Sequence, residues 1–313
     1  MTKHHFFLLI LSILMLYGCN SNQPTEVNNN INSGKLYRPY NYYSPAAGKS
    51  LGIWLHYDQR CWTTAKLREL TKYGITYLHI YYDPNMSDPD FQYHQAVSAS
   101  ISSDRLICLL KPHFYGDFSN TTNLINTMYT RGIRRFYIDE PLEAVANGVW
   151  ESSFIKDSII VLANYLRDNY PEARLYIGSC TDFIWITPRV TTSEPIAKDY
   201  WDILSVCSNV FMMNDSYTLS ANQQISFWQN FYYNYYIDYE RRSLGHFTDN
   251  VYDASEYSSL FSGAQQLGLN YMCLYNANSI DDWTSIRNFC EAAYSAGWLT
   301  KLQDPPATTI PID

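Results

Sequence analysis

Asp139 and Glu140 stand side by side behind the apolar run Phe136-Tyr137-Ile138, and Pro141 follows them. Two carboxyls held this close repel, which splits their acidities: one is pushed toward a proton donor while the other stays ionised. General acid–base chemistry on a glycosidic bond needs that division. In an extended strand, neighbouring residues point to opposite faces. If Phe136 and Ile138 face one layer, Tyr137 and Asp139 share the other, and Glu140 falls where the strand leaves its sheet. A proline there suits an exit, because it has no N–H to leave unbonded.

Such residues need elements to carry them. From residue 50 onward the chain alternates short apolar runs with helical stretches. The runs cover 50–57, 75–83, 105–114, 133–141, 173–182, 203–215, 241–249 and 270–278. Each is short enough for a strand, rich in branched and aromatic residues, and bounded by polar or turn residues. Helix patterns with cap and stop signals lie at 63–74, 120–132, 152–171 and 254–268. A repeat recurs at three joints, Tyr73-Gly74-Ile75, Arg131-Gly132-Ile133 and Leu267-Gly268-Leu269. Each reads as a helix end, a left-handed glycine and the first residue of the next strand. This order predicts an α/β fold, a (β/α)8 TIM barrel in one domain over residues 49–298. The alternative is an open doubly wound sheet. That fold usually carries a glycine-rich phosphate loop after its first strand, and here His56-Tyr57-Asp58 follows instead.

A barrel gathers the carboxyl ends of its strands on one rim. The expected rim residues are His56 and Tyr57, Tyr82, Lys111 and His113, Asp139 and Glu140, Asp182, Asn214 and Asp215, His246 and Asp249, and Tyr275 and Asn276. Glu140 is the expected general acid and Asp139 its partner. Asp182 and Asp215 are the next candidates for a second carboxylate, with Asp249 further round the ring. Retention requires two carboxyls about 5 Å apart, and inversion roughly 6.5–9.5 Å. The remaining rim residues, with Trp185 after the fifth strand, are expected to bind substrate by hydrogen bonds and ring stacking. Trp54, Trp62 and Trp283 are counted among the aromatics near the mouth. His79, between Leu78 and Ile80, is expected to be a satisfied core residue.

A fourth strand ending in an acid pair, on a barrel rich in rim aromatics, resembles the glycoside hydrolase-type barrels. In many of these the proton donor is an acid at the end of strand four, which the resemblance maps onto Glu140. The short motif "YIDEP" carries it, and no specific family is assigned. A chitinase-like DxDxE would need acids where this chain has Phe136 and Ile138. A second clan would want asparagine in place of Asp139 and glutamate near Asp249.

The N-terminus bears on where such chemistry would take place. "MTKHHFFLLILSILMLYGC" has a basic start and an apolar run from Phe6 to Tyr17, too short to span a bilayer. Its ending resembles a bacterial lipobox with Cys19 as the acylated residue, Tyr17 being larger than usual there. Residues 1–19 are therefore expected to be a lipoprotein signal peptide and the Asn-rich 20–48 a flexible tether. Residues 299–313 are expected to be a departing tail. The expected location is the cell envelope, exported and lipid-anchored at the outer membrane, with lipid as the only membrane contact.

The chain has 313 residues, 46% of them hydrophobic, with 17% charged and a formal net charge of -8. A net acidic chain does not suit a nucleic-acid partner. Its 29 tyrosines and 8 tryptophans suit a carbohydrate partner. Of the cysteines beyond Cys19, Cys108, Cys180, Cys207 and Cys273 sit in apolar runs and no CxxC occurs, so buried thiols are expected. No HxH stands on the first strand and no G-x-S-x-G is present. No metal or other cofactor is expected, although His56, His113 and His246 keep a metal-dependent hydrolase open. The sequence leaves three functions: a glycoside hydrolase, a non-catalytic glycan-binding lipoprotein on the same scaffold, and a metal-dependent hydrolase.

Overall fold

The computed structural model describes residues 41–55, 62–81, 91–110, 118–138, 141, 151–178, 195–212, 221–234, 242–247, 254–276 and 283–306. The first element, β1 (Tyr43–Pro45), precedes β2 (Ser50–Leu55). Strands and helices then alternate: α1 (Thr64–Lys72), β3 (Tyr77–Tyr81), α2 (Phe91–Ser98), β4 (Leu106–Leu110), α3 (Phe118–Thr130), β5 (Arg135–Ile138), α4 (Ser152–Asn169) and β6 (Arg174–Gly178). The series continues through α5 (Pro195–Val206), β7 (Asn209–Met212), α6 (Ala221–Asn234), β8 (Arg242–Phe247), α7 (Ala254–Gln266), β9 (Tyr271–Asn276), α8 (Trp283–Ser295) and β10 (Leu299–Lys301). Strands β2 to β9 form a closed parallel barrel in chain order. The seam joins β2 to β9 from Ser50↔Tyr271 to Leu55↔Asn276. The expected (β/α)8 TIM barrel is the fold observed.

Helices form where apolar residues recur at helical spacing. In α4, Ile155, Ile159, Leu162 and Leu166 make one buried stripe. Thr63 caps α1 by accepting from the Lys66 N–H at 3.3 Å. The three glycine joints are left-handed as expected, with φ of +83° at Gly74, +95° at Gly132 and +71° at Gly268. At Gly132 the turn is closed by Ile133 N–H to Met128 O and Gly132 N–H to Tyr129 O, both 3.0 Å, the bond pair of a Schellman ending. The sixth run is shorter than its sequence suggests. Ile203 and Leu204 lie in the last turn of helix α5, buried with Cys207, and the strand begins only at Asn209.

Strand alternation builds two cores. Leu51, Ile53, Leu78, Ile80, Cys108, Phe136, Ile138, Ile177, Met272 and Leu274 face outward and pack beneath the helices. Trp54, Ile107, Leu109, Tyr137, Tyr271 and Cys273 face inward and fill the lumen, with Tyr77 and Tyr176 against them. Of the two orientations that strand parity leaves for the fourth barrel strand, the structure has Tyr137 inside and Phe136 and Ile138 outside.

Both expected domain ends need correction. Tyr43–Pro45 lies within the supposed tether and Leu299–Lys301 within the supposed tail, yet they pair as an antiparallel ribbon, Tyr43↔Lys301 to Pro45↔Leu299. Burial explains it: Tyr42, Tyr43, Trp298 and Leu299 are all in the outer core. Tyr42 meets Tyr73 edge-on at 5.0 Å. A Cβ on Gly74 would stand 2.8 Å from Leu299 Cδ2, so the ribbon lies directly against the α1–β3 joint. Cys19 and residues 20–40 lie outside the described residues. Among the described residues no helix is long and apolar enough to cross a membrane.

Candidate functional site at the barrel rim

Eight parallel strands in one closed ring bring their carboxyl ends to a single rim. The described strands stop at Leu55, Tyr81, Leu110, Ile138, Gly178, Met212, Phe247 and Asn276. Asp139 and Glu140 follow Ile138 at once in sequence. They lie outside the described residues, as do Asp182, Asp215, His56, Tyr57, Tyr82, Lys111, His113, Trp185, Asn214 and Asp249. Three expected residues fall inside strands. His246 pairs with Leu274, Tyr275 with Trp54 and Phe247, and Asn276 with Leu55.

What underlies the rim is well defined. Trp54 lies parallel to His79, 5.6 Å between ring centres and 19° between planes. Tyr137 meets Trp54 edge-on at 5.2 Å and His79 edge-on at 5.4 Å. His79 also stacks on Tyr271 at 6.2 Å, and its Nε2 is 2.7 Å from the Tyr271 hydroxyl. Burial pushes the His79 imidazole down to about 3 and the Tyr271 phenol well above its ordinary value. The bond therefore joins two neutral groups. It depends on Gly52: a Cβ there would collide with the Tyr271 hydroxyl, so the missing side chain lets the ring cross the lumen. Below, Arg135 lies over the Tyr77 ring at 4.6 Å and donates to its hydroxyl at 3.2 Å.

This interior is the part that sequence reasoning missed. His79 was expected to be a satisfied core residue; it is buried, and the Tyr271 hydroxyl that meets its Nε2 was not foreseen. Trp54, Trp62 and Trp283 are corrected from mouth aromatics to buried ones. Trp54 packs in the lumen, and Trp62 and Trp283 pack in the helix-facing core. Strand parity groups Trp54 with Gly52 and His79 with Tyr77, but does not say which group faces the lumen. Cys108, Cys207, Cys273 and Cys290 are buried free thiols, while Cys61 and Cys180 lie outside the described residues. Among the described residues no group of three or more His, Cys, Asp or Glu could hold a metal ion.

No family model and no curated protein matches the chain by sequence. Solved structures share its fold. A Streptomyces coelicolor protein designated Chitinase A aligns with a TM-score of 0.50 at 10% identity, covering 80% of this chain and 99% of that one. A β-mannanase from the blue mussel Mytilus edulis aligns at TM-score 0.49 and 9% identity, covering 81% and 96%. A sugar phosphate isomerase/epimerase from Parabacteroides distasonis gives TM-score 0.49 and 12% identity, covering 80% and 97%. Glycoside hydrolases thus stand among the structural neighbours beside an enzyme of another class. The likeness is one of fold.

Proposed function

We propose that this protein is an exported, lipid-anchored glycoside hydrolase of the cell envelope. In this reading it cleaves a poly- or oligosaccharide by carboxylate acid–base catalysis at the carboxyl rim of its barrel. One observation carries the reading. The closed parallel barrel gives all eight strands a common rim, and the fourth barrel strand stops one residue before the adjacent acids Asp139 and Glu140. Glu140 is the proposed proton donor and Asp139 its charged partner, with Asp182 or Asp215 as the second carboxylate. Buried aromatic rings fill the lumen below the rim, and a low-dielectric surrounding of that kind strengthens charge interactions beside it.

The test is release of reducing sugar from a panel of polysaccharides. Glu140→Gln should lower turnover at least about a hundredfold, and Asp139→Asn should shift the acid limb of the pH profile. Full activity in Glu140→Gln would overturn the proposal. EDTA should leave the rate unchanged, and a loss restored by added divalent cation would favour the metal-dependent alternative.

A second reading, a glycan-binding lipoprotein without catalysis, has its own support. Phe136 and Ile138 belong to the outer core, so this strand cannot offer the acid series of the chitinase-like pattern. That reading expects retardation in polysaccharide-containing gels, unchanged by Glu140→Gln and lost in Trp185→Ala.

A further inference from the structure

The two arginines that open "RRFYIDEP" take no part in rim chemistry. They lie where β5 begins, at the opposite end of the barrel, and there they have company. Register sets Arg135 beside Arg174 of β6. Arg105 immediately precedes β4 and Arg131 immediately follows α3. Most of these side chains serve the fold as well. Arg105 donates to the carbonyls of Ile75 and Thr76. Arg134 donates to those of Tyr129 and Ile133 at 2.8 and 3.1 Å, and Arg135 to that of Asp104. Carbonyl oxygens carry no net charge, and a guanidinium has five donors, so the positive charge is left at this end. Carboxylates stand here too, though fewer than the arginines: Glu172 pairs with Arg134 at 3.4 Å, Asp168 with Arg167 at 3.1 Å, and the Asp104 charge acts on Arg105. Arg174 is exposed. This arginine sector stands on a protein whose formal net charge is -8.

A second, independent observation concerns the path of the chain. The Tyr42 N–H bonds to Lys72 O at 2.8 Å, at the carboxyl end of α1. Tyr43 pairs with Lys301 in the ribbon. Helices of the barrel run opposite to its strands, so both contacts lie on the same end as the arginines. Tyr42 and Tyr43, where the described chain enters the fold, therefore lie on its cationic end.

We propose that this amino-terminal face docks on an anionic phospholipid surface, so that the rim opens away from the bilayer. The proposal rests on the cell-envelope reading for the side on which it meets lipid, and does not require acylation of Cys19. Near an anionic surface each Lys or Arg strengthens binding roughly fivefold, an effect confined to about one Debye length.

The test uses the chain from Asn20 onward, which keeps the whole described fold and lacks both leader and lipid. It is sedimented with vesicles of phosphatidylcholine alone or mixed with phosphatidylglycerol. The expected result is binding to the mixed vesicles only, falling as salt is raised. The double variant Arg131→Glu/Arg174→Glu should bind at least about tenfold more weakly. If that variant misfolds by circular dichroism, Arg174→Glu alone should weaken binding several-fold. Equal binding to both vesicle types, no binding to either, or charge-reversed chains that bind like the parent would overturn the proposal. Failure of the anchor reading looks different: the full-length chain expressed with labelled fatty acid would take up no label while the vesicle result stood.

Discussion

His79 and Tyr271 show how single residues set the character of this lumen. The unfolded chain takes up a proton on His79 near its ordinary 6.5, whereas the folded chain resists protonation until about 3. This contribution is therefore complete above pH 6.5 and is lost as pH falls toward 3. At about 1.4 kcal/mol per unit, the span amounts to on the order of 5 kcal/mol. Urea midpoints measured between pH 7.5 and 4.5 should fall, and His79→Gln should flatten that fall. Gly52→Ala should destabilise the protein by about 3 kcal/mol, because the new methyl displaces the Tyr271 ring from a filled interior. The buried thiols make a simpler prediction. Burial pushes Cys108 and Cys273 up to about 12, so a disulfide reagent should modify neither in the native protein and both after unfolding. None of the His79 geometry was legible in the sequence. His79 and Tyr271 are 192 residues apart, and in parallel strands buried on both faces the lumen side looks no different from the helix side.

At the scale of elements, much more was legible, because local chemistry repeats. The glycine joints alone mark three of the β/α units. One unit escaped that signal for a physical reason: the turn after α2 has the same bonds, Ser100 N–H to Val97 O at 2.9 Å and Ile101 N–H to Ala96 O at 3.0 Å, but places Ser100 at φ +63° where the others have glycine. A serine there carries a strain that glycine lacks, partly offset by the greater freedom of glycine when unfolded. Ser100→Gly should raise stability by about 0.5–1 kcal/mol, read as a shift in melting temperature. The β1–β10 ribbon stayed hidden because strands of three residues have no periodicity to detect, and Tyr42 and Tyr43 resembled the rest of a tyrosine-rich approach. Trp298, whose neighbour Leu299 begins β10, anchors that ribbon through Ala46 N–H to Trp298 O at 2.8 Å. Trp298→Ala should cost about 3–5 kcal/mol in chemical denaturation.

For the whole molecule, the order of strands is the order of the chain, and that made the rim inferable: once eight β/α units close, the positions after each strand share one mouth whatever their distance in sequence. The identities of the pair that cleaves, or of the rings that bind, are not set by topology, since one barrel serves many chemistries. The seam has a further consequence. The first barrel strand, β2, bonds to the last, β9, and the preceding β1 finds its ribbon partner in β10. A chain emerging from the ribosome amino end first must hold these early strands without their mates until nearly all of it has been made. Until then the growing sheet keeps two raw edges, the kind of surface that invites pairing with a neighbouring chain. Ring closure thus waits for the last strands to be made, and those two edges stay open to a neighbouring chain for most of synthesis.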